Sequence, residues 1–449
     1  MSDNRTRRKF LNTLGGWGVA SLGLGSPLFA EDLVAPESSQ GRFPRRSPGE
    51  KLRIGVVGCG NRGLANLQAV ASEDIVAVCD VEARFLLGAK RRFPLAHMYR
   101  DFRHMFEQEG DAIDAVVVST PDHTHASVVA EALRRGKHCY CEKPLAHNIA
   151  EVRELTELAA VTPVATQMGI QMHAGSNYRR VVEWIQSGVL GPVREVVIWS
   201  DESQGGRTRP ARRETIPRTL AWDLWLGPAL ERDYHSCYCP VRWRDWWDFS
   251  NGALGDFGCH FMDLPFWALG LDHPTTIEAE GPALCSQSCA PWMTVKYQFP
   301  AKGNRTAVNL TWRHGPNNRP PELDSLGTST APPSDGVLFI GEAGILMSTY
   351  SRHWLLPKGQ FLDASPPALA TTIETSSHHA EWIHACKTGG TPSCHFGYSG
   401  PLSEATLLGS VAFRTGQPLT WDGASGTVVD CPEAEQFLTR NYRSGWEIS

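Results

Sequence analysis

The stretch RIGVVGCGNRG, residues 53 to 63, decides the fold. Its first half is apolar without a polar break, as in a strand buried on both faces of a helix-covered parallel sheet. Its second half places Gly58, Gly60 and Gly63 where such a strand turns into a helix. Glycines there allow a tight turn and let backbone N–H groups and a helix N-terminus approach a pyrophosphate, so Gly58, Gly60, Asn61, Arg62 and Gly63 are candidate dinucleotide contacts. The glycine pattern alone is weak. Its weight comes from the next apolar run, IVAVCD, which ends on Asp80. A carboxylate at that strand end accepts hydrogen bonds from adenosine ribose hydroxyls and repels a 2′-phosphate, which favours NAD over NADP, although Arg84 lies close by.

Working outward, AVVVST is a third buried run, and NRGLANLQAVAS, EARFLLGAKRRF and HTHASVVAEALRRG alternate with these runs as amphipathic segments. The pattern predicts an α/β doubly wound (Rossmann) sheet. From about residue 190, VREVVIWSD, MTVKYQF, AVNLTWRHG and VLFIGEAGILMST are longer and alternate with polar residues, as in a largely antiparallel open sheet. Residues 316–335 are Pro- and Ser-rich and read as a surface loop. The expected organisation is an export signal over residues 1–30, a linker over 31–50, a cofactor-binding domain over 51–171 and a second α/β domain over 172–449.

A net charge of −5 with 20% charged residues gives no basic surplus for nucleic acid, and no internal apolar run reaches membrane-spanning length. The amino end differs, joining Arg7-Arg8-Lys9-Phe10-Leu11 to a short weakly apolar segment that ends near Ala30. It resembles a twin-arginine signal, which directs folded proteins out of the cytoplasm and implies a periplasmic location. Twelve cysteines in a chain of 449 residues need not form a disulfide framework. Cys285 and Cys289 are the pair to test. The set His235, Cys237, Cys239, Cys259 and His260 lacks a usual structural-zinc spacing, so no metal is expected.

Two further segments fall at predicted strand ends, where ligands bind in such sheets: Thr120-Pro121 with His125, and Glu142-Lys143-Pro144. A third, GDFGCHFMD, sets Asp256 and His260 four residues apart, on one face of a helix. With the glycine turn and Asp80, the order of these motifs resembles the Gfo/Idh/MocA oxidoreductase family over essentially everything after residue 50, most specifically at AxxxGKHCYCEKPL (Ala132 to Leu145).

The resemblance implies a Rossmann domain followed by an α/β domain with an open antiparallel sheet, NAD as cofactor, and homo-oligomers through that sheet. It places Lys143 beside the nicotinamide and the reacting hydroxyl, matches Asp256 and His260 to the carboxylate and histidine of sugar and polyol dehydrogenases, and sets Gln171 in the crossing between domains. Oxidising a secondary alcohol requires a base at its oxygen, for which His260 is the candidate. Asp256 is expected to hold the ring's other nitrogen, and Lys143 to stabilise developing alkoxide charge. Tryptophans in WDLWLGP and RWRDWWDF, with Arg242, Arg244 and Asp248, suggest a carbohydrate substrate, though core packing accounts for more than half of these rings. The expected activity is oxidation of a sugar or glycoside hydroxyl by tightly held NAD. Two alternatives are an NAD-dependent glycosidase working by transient oxidation, and a nucleotide or sugar sensor without turnover.

Overall fold

The computed structural model describes residue 47 and residues 49–326, 333–365 and 377–448. The segment expected to be an export signal and most of the expected linker lie outside the described residues. Six parallel strands, β1 (Arg53–Val57), β2 (Asp74–Cys79), β3 (His97–Tyr99), β4 (Ala115–Val118), β5 (His138–Glu142) and β6 (Thr166–Gly169), form a sheet in the order β3-β2-β1-β4-β5-β6. The order reverses between β1 and β4, so the glycine turn after β1 and the segment after β4 border the crevice where such sheets bind ligands. Helices α1 (Arg62–Ala69), α2 (Ala83–Arg92), α3 (Phe102–Glu109), α4 (Asp122–Arg134) and α5 (Ile149–Val161) follow successive strands. β4 is buried along its whole length, as its all-apolar sequence requires.

After α6 (Ser176–Gln186), the chain enters a nine-stranded second sheet with β7 (Val193–Ser200) near its centre. Between β7 and the next strand come the short α7 (Trp222–Leu226) and the long α8 (Gly252–Leu269). The remaining strands are β8 (Thr276–Glu280), β9 (Met293–Phe299), β10 (Val308–His314), β11 (Asp335–Gly341), β12 (Gly344–Ser348), β13 (His353–Leu356), β14 (Leu419–Asp422) and β15 (Thr427–Val428). Their order is β13-β12-β11-β7-β10-β9-β8-β14-β15, and only β7 and β10 pair in parallel.

β9 and β10 alternate buried and exposed residues as their sequences predict, but β7 and β11 are buried on both faces for most of their length. Part of the Pro- and Ser-rich segment explains this. Pro321–Leu326 forms a 3-10 turn whose Leu323 is buried against Trp199, Leu338 and Met347 on the outer face. It is a cover as well as a loop.

α8 is apolar on nearly every side and correspondingly buried, packing against α6 and against α10 (Phe396–Thr415). α10 also packs on α5, so these helices form the layer between the sheets. The chain then recrosses. α9 (His378–Thr388) sets Trp382, Ala385 and Cys386 in the same apolar cluster as Ile54, Leu67 and Tyr140. A helix remote in sequence thus completes one face of the parallel sheet. The short α11 (Glu435–Leu438) precedes a carboxyl-terminal tail that returns to α3, where Trp446 meets Phe102 and Arg103.

Candidate active site

The carboxyl ends of β1, β2, β4 and β5, the loop carrying Trp243 and Arg244, and one face of α8 enclose a cleft of about 380 Å³. That is within the range of small-molecule sites. Gly58 adopts a φ of +87°, and a Cβ there would lie 2.5 Å from the Ser119 carbonyl oxygen. A Cβ on Gly63 would lie 2.1 Å from the Gly58 carbonyl oxygen. Gly58 therefore keeps the crevice floor thin, while Gly63 lets α1 pack against the turn and does not itself line the cleft.

Asp80 accepts hydrogen bonds from the backbone N–H groups of Cys59 (2.7 Å) and Glu82 (2.8 Å) at the cleft wall. Burial pushes its carboxyl up to about 6 despite these two bonds. Thr120 and Pro121 line the cleft beside it, but His125 does not. The His125 ring is fully buried, with its nitrogens 2.8 Å and 2.9 Å from the carbonyl oxygens of Pro144 and Thr120. It braces the two strand-end segments against each other, correcting its expected place among the cofactor contacts.

Gln171 also stands one bond behind the wall. It donates to Glu142 Oε1 and the Tyr140 hydroxyl, each at 2.8 Å, and accepts from Arg62 Nη2 at 3.1 Å. Glu142 further accepts from Asn66 Nδ2 at 2.9 Å, and Asn66 in turn meets His379 of α9. Asn66 and His379 escaped the sequence reading because their role depends on the recrossing helix.

The third segment departs from expectation. Asp256 and His260 share α8 and both line the cleft, yet the Asp256 carboxylate is taken by other partners. Lys143 Nζ donates to Asp256 Oδ1 and to its carbonyl oxygen, both at 2.5 Å. Arg244 Nε lies 2.9 Å from Oδ2, and Gln204 Nε2 donates to the same oxygen at 2.8 Å. Burial alone would raise the Asp256 carboxyl, but the charges of Lys143 and Arg244 overcome it and hold the group well below its usual range. The expected Asp256–imidazole bond is absent because two cations compete better for a buried carboxylate than a neutral ring does.

His260 is buried, and its Nδ1 has no partner among the described residues. Burial, then the Lys143 charge, lowers it well below its ordinary value, so the ring is neutral near pH 7. Asp122 stands in the same cleft, buried and accepting from the Ser250 hydroxyl at 2.8 Å, and burial pushes its carboxyl up to about 7. Its signal in the sequence was only its position between Pro121 and His125.

Most of the tryptophans are core. Trp222, Trp225, Trp243 and Trp246 form one buried cluster with Tyr234, Tyr238 and Phe249. Among the described residues, Trp225, Trp243 and Trp446 are the tryptophans that reach the cleft. Asp248 faces away, pairing with Arg209 and Arg232. All twelve cysteines are free thiols, including Cys285 and Cys289, which corrects the disulfide considered for them. The His235–His260 set does not converge, since His235 pairs with Glu214 and Cys259 packs against Thr406. Among the described residues, the group whose ligand atoms do approach one another is His173, Asp263 and Cys394, where Asp263 already accepts from His173 (2.9 Å) and Tyr398 (2.7 Å).

A parallel sheet with a glycine turn at its switch point and Lys143 at the end of β5, facing Asp256 and His260 on helix α8 of a second α/β domain, defines a dinucleotide-fold oxidoreductase class. Residues 52–170 match the family model "Oxidoreductase family, NAD-binding Rossmann fold", and residues 178–310 match that family's C-terminal alpha/beta domain. The chain belongs to the Gfo/Idh/MocA oxidoreductase family.

It is 29% identical over 143 residues to a myo-inositol 2-dehydrogenase of Thermotoga maritima, covering 31% of this chain and 42% of that protein. It is 25% identical over 295 residues to glycosyl hydrolase family 109 protein 2 of Akkermansia muciniphila, covering 57% and 61%. The chain thus spans about half the length of the curated relatives it matches. Its fold matches the WlbA dehydrogenase from Bordetella pertussis, solved with NADH and UDP-GlcNAcA, at a TM-score of 0.59, 18% identity, 83% of this chain and 99% of that one.

Proposed function

We propose that the protein is an NAD-dependent oxidoreductase acting on a secondary hydroxyl of a sugar or glycoside. The observation that carries this reading is the convergence, in one cleft with the glycine turn, of a clamped Lys143–Asp256 pair and a neutral, buried His260. The walls fit a dinucleotide. The thin floor at Gly58 leaves room for a pyrophosphate, Arg62 offers it a cation, and the Asp80 carboxylate suits ribose hydroxyls and favours NAD over NADP. NAD, when bound, supplies the hydride acceptor.

The protein's part is to position the substrate and move its proton. Lys143 has three donors, and Asp256 occupies two of them. The third is available to the substrate oxygen, where it stabilises the charge that develops as the proton leaves. His260, neutral near pH 7, takes that proton while the C–H bond breaks and its electron pair departs as hydride. Asp256 anchors the lysine and serves the imidazole only through its charge. Trp225 and Trp243, mostly buried, add apolar surface at the cleft lining that a sugar ring can meet.

A second reading is a glycosidase that oxidises, eliminates and re-reduces. Its support is the 295-residue similarity to the glycosyl hydrolase family 109 protein. Arg7 and Arg8 support twin-arginine export to the periplasm with NAD already loaded, and membership of the family supports a homo-oligomer through the open sheet.

The test is to denature the purified protein, assay released NAD, and then follow nicotinamide absorbance with a panel of glycosides. Reduction by a sugar supports the oxidoreductase. Aglycone release without net reduction establishes the glycosidase, and neither bound nucleotide nor turnover leaves a sensor. Recovery of the chain from the cytoplasm alone in its native host would refute export.

A further inference from the structure

A second cleft of about 250 Å³ lies behind the Lys143 segment, between the start of α5, the last turns of α10 and the α11 region. Arg414 of α10 reaches into its wall, stacked over Phe437 at 4.1 Å and near Trp247 at 5.2 Å. Among the described residues Arg414 makes no hydrogen bond or ion pair. The one carboxylate lining this cleft, Asp248, has its two oxygens on Arg232 (2.7 Å) and Arg209 (2.5 Å). Arg414 is half-buried over the Phe437 and Trp247 rings, and without a carboxylate bonded to it its donors remain free for an anion. Burial accordingly lowers Arg414 to about 10, yet it keeps its charge at neutral pH.

The groups around it also lack partners. Asn148, 5% exposed, uses its Oδ1 to cap α5 at the Glu151 N–H, while its Nδ2 has no partner. Arg440 spends Nη2 on Glu151 and on the His123 carbonyl, leaving Nε and Nη1 without one. The cleft thus combines a half-buried guanidinium without an ion-pair partner among the described residues, unused N–H donors and the N-terminus of a thirteen-residue helix, whose dipole favours anions. His147 offers no further charge, because burial and then Arg440 hold it well below its ordinary value. We propose that this second cleft binds a compact oxyanion, the phosphate or carboxylate group of a small solute, between Arg414 and Asn148 at the start of α5.

The test is calorimetric titration of inorganic phosphate, and separately of citrate, into the full chain at constant ionic strength with NAD saturating. NAD keeps phosphate from the glycine turn, and an Arg62→Ala variant checks that the turn does not contribute the signal. Binding of either anion at one per chain, weakened about tenfold or more by Arg414→Gln and by Asn148→Ala, is the expected result. Phosphate binding without citrate binding identifies a phosphate site, and the reverse a carboxylate site. Absence of both, or binding that neither variant weakens, overturns the proposal. NAD affinity and turnover of Arg414→Gln stay near wild type, so failure here is separable from failure of the oxidoreductase reading.

Discussion

The two walls of the active-site cleft are made in different ways. The cofactor wall comes from successive strand ends between Gly58 and Glu142, and its shape is set by backbone, with Gly58 packed on the Ser119 backbone and an Asp80 held by two backbone N–H groups. The substrate wall gathers Arg244, Asp256 and His260 from distant segments, with Gln204 bonded behind Asp256, and its arrangement is set by competition among charges for one buried carboxylate. A backbone-defined wall tolerates loss of one side chain by weaker binding. A charge-defined wall fails as a unit when a cation is removed.

The sharpest way to break that contrast is Lys143→Met. The variant loses the donor at the developing alkoxide and leaves Asp256 with Arg244 and Gln204. kcat/KM is expected to fall about 10³-fold. NAD affinity, measured by fluorescence titration, is expected to change little. Equal losses in both quantities would mean that the walls are not separable. His260→Ala comes next, with a fall of about 10²-fold in kcat, as for loss of a general base. A variant that oxidises substrate at full rate would remove His260 from the mechanism and leave Asp122, a buried carboxyl in the same cleft raised to about 7, as the candidate base.

On the cofactor wall the expected effects are smaller and appear in binding. Asp80→Asn removes the charged acceptor and is expected to weaken NAD about tenfold to a hundredfold, with a smaller change in kcat. Its pH dependence has a defined sign. Because the folded carboxyl is raised to about 6, the protonated form is favoured without NAD. That contribution to stability is fully present below the carboxyl's unfolded value and is lost as pH rises through about 6. Ribose hydroxyls need the ionised form, so NAD affinity should fall about fivefold between pH 6 and pH 5. The NAD-induced rise in melting temperature shrinks over the same range in the wild type and is flat in Asp80→Asn. A wild-type affinity independent of pH there would place the ribose contact elsewhere.

The same contrast explains what was legible in the sequence. The parallel sheet, the glycine turn and Asp80 are local patterns, each announced by a short apolar run and its end. Asp256 and His260 were found as a helical pair, but their bonding was not, because i to i+4 spacing says which groups share a face and nothing of which cations arrive from elsewhere. Arg244 and Gln204 sit in loops whose course depends on the packing of the Trp222–Phe249 cluster. α9 was visible as a helix, but its docking on the first sheet, more than two hundred residues from β6, has no local signature. His125 was misread because a histidine bracing two loops from behind and one facing a cofactor occupy the same place in a motif.

Gln204→Ala gives the finest test, and the smallest expected effect. Gln204 donates one hydrogen bond to Asp256 Oδ2, while its own Oε1 is buried without a partner. Truncation therefore removes a favourable bond and an unsatisfied acceptor together, and the two changes offset. Asp256 keeps both cations, so its carboxyl stays ionised and Lys143 stays in place. kcat/KM is expected to drop no more than about tenfold, and melting temperature to move by only a few degrees. If Gln204→Ala were as damaging as Lys143→Met, neutral hydrogen bonds would rank with charge in holding Asp256, and the wall would be ordered by geometry. A small effect beside the large one leaves the Lys143–Asp256–Arg244 charges as the element that builds the substrate side.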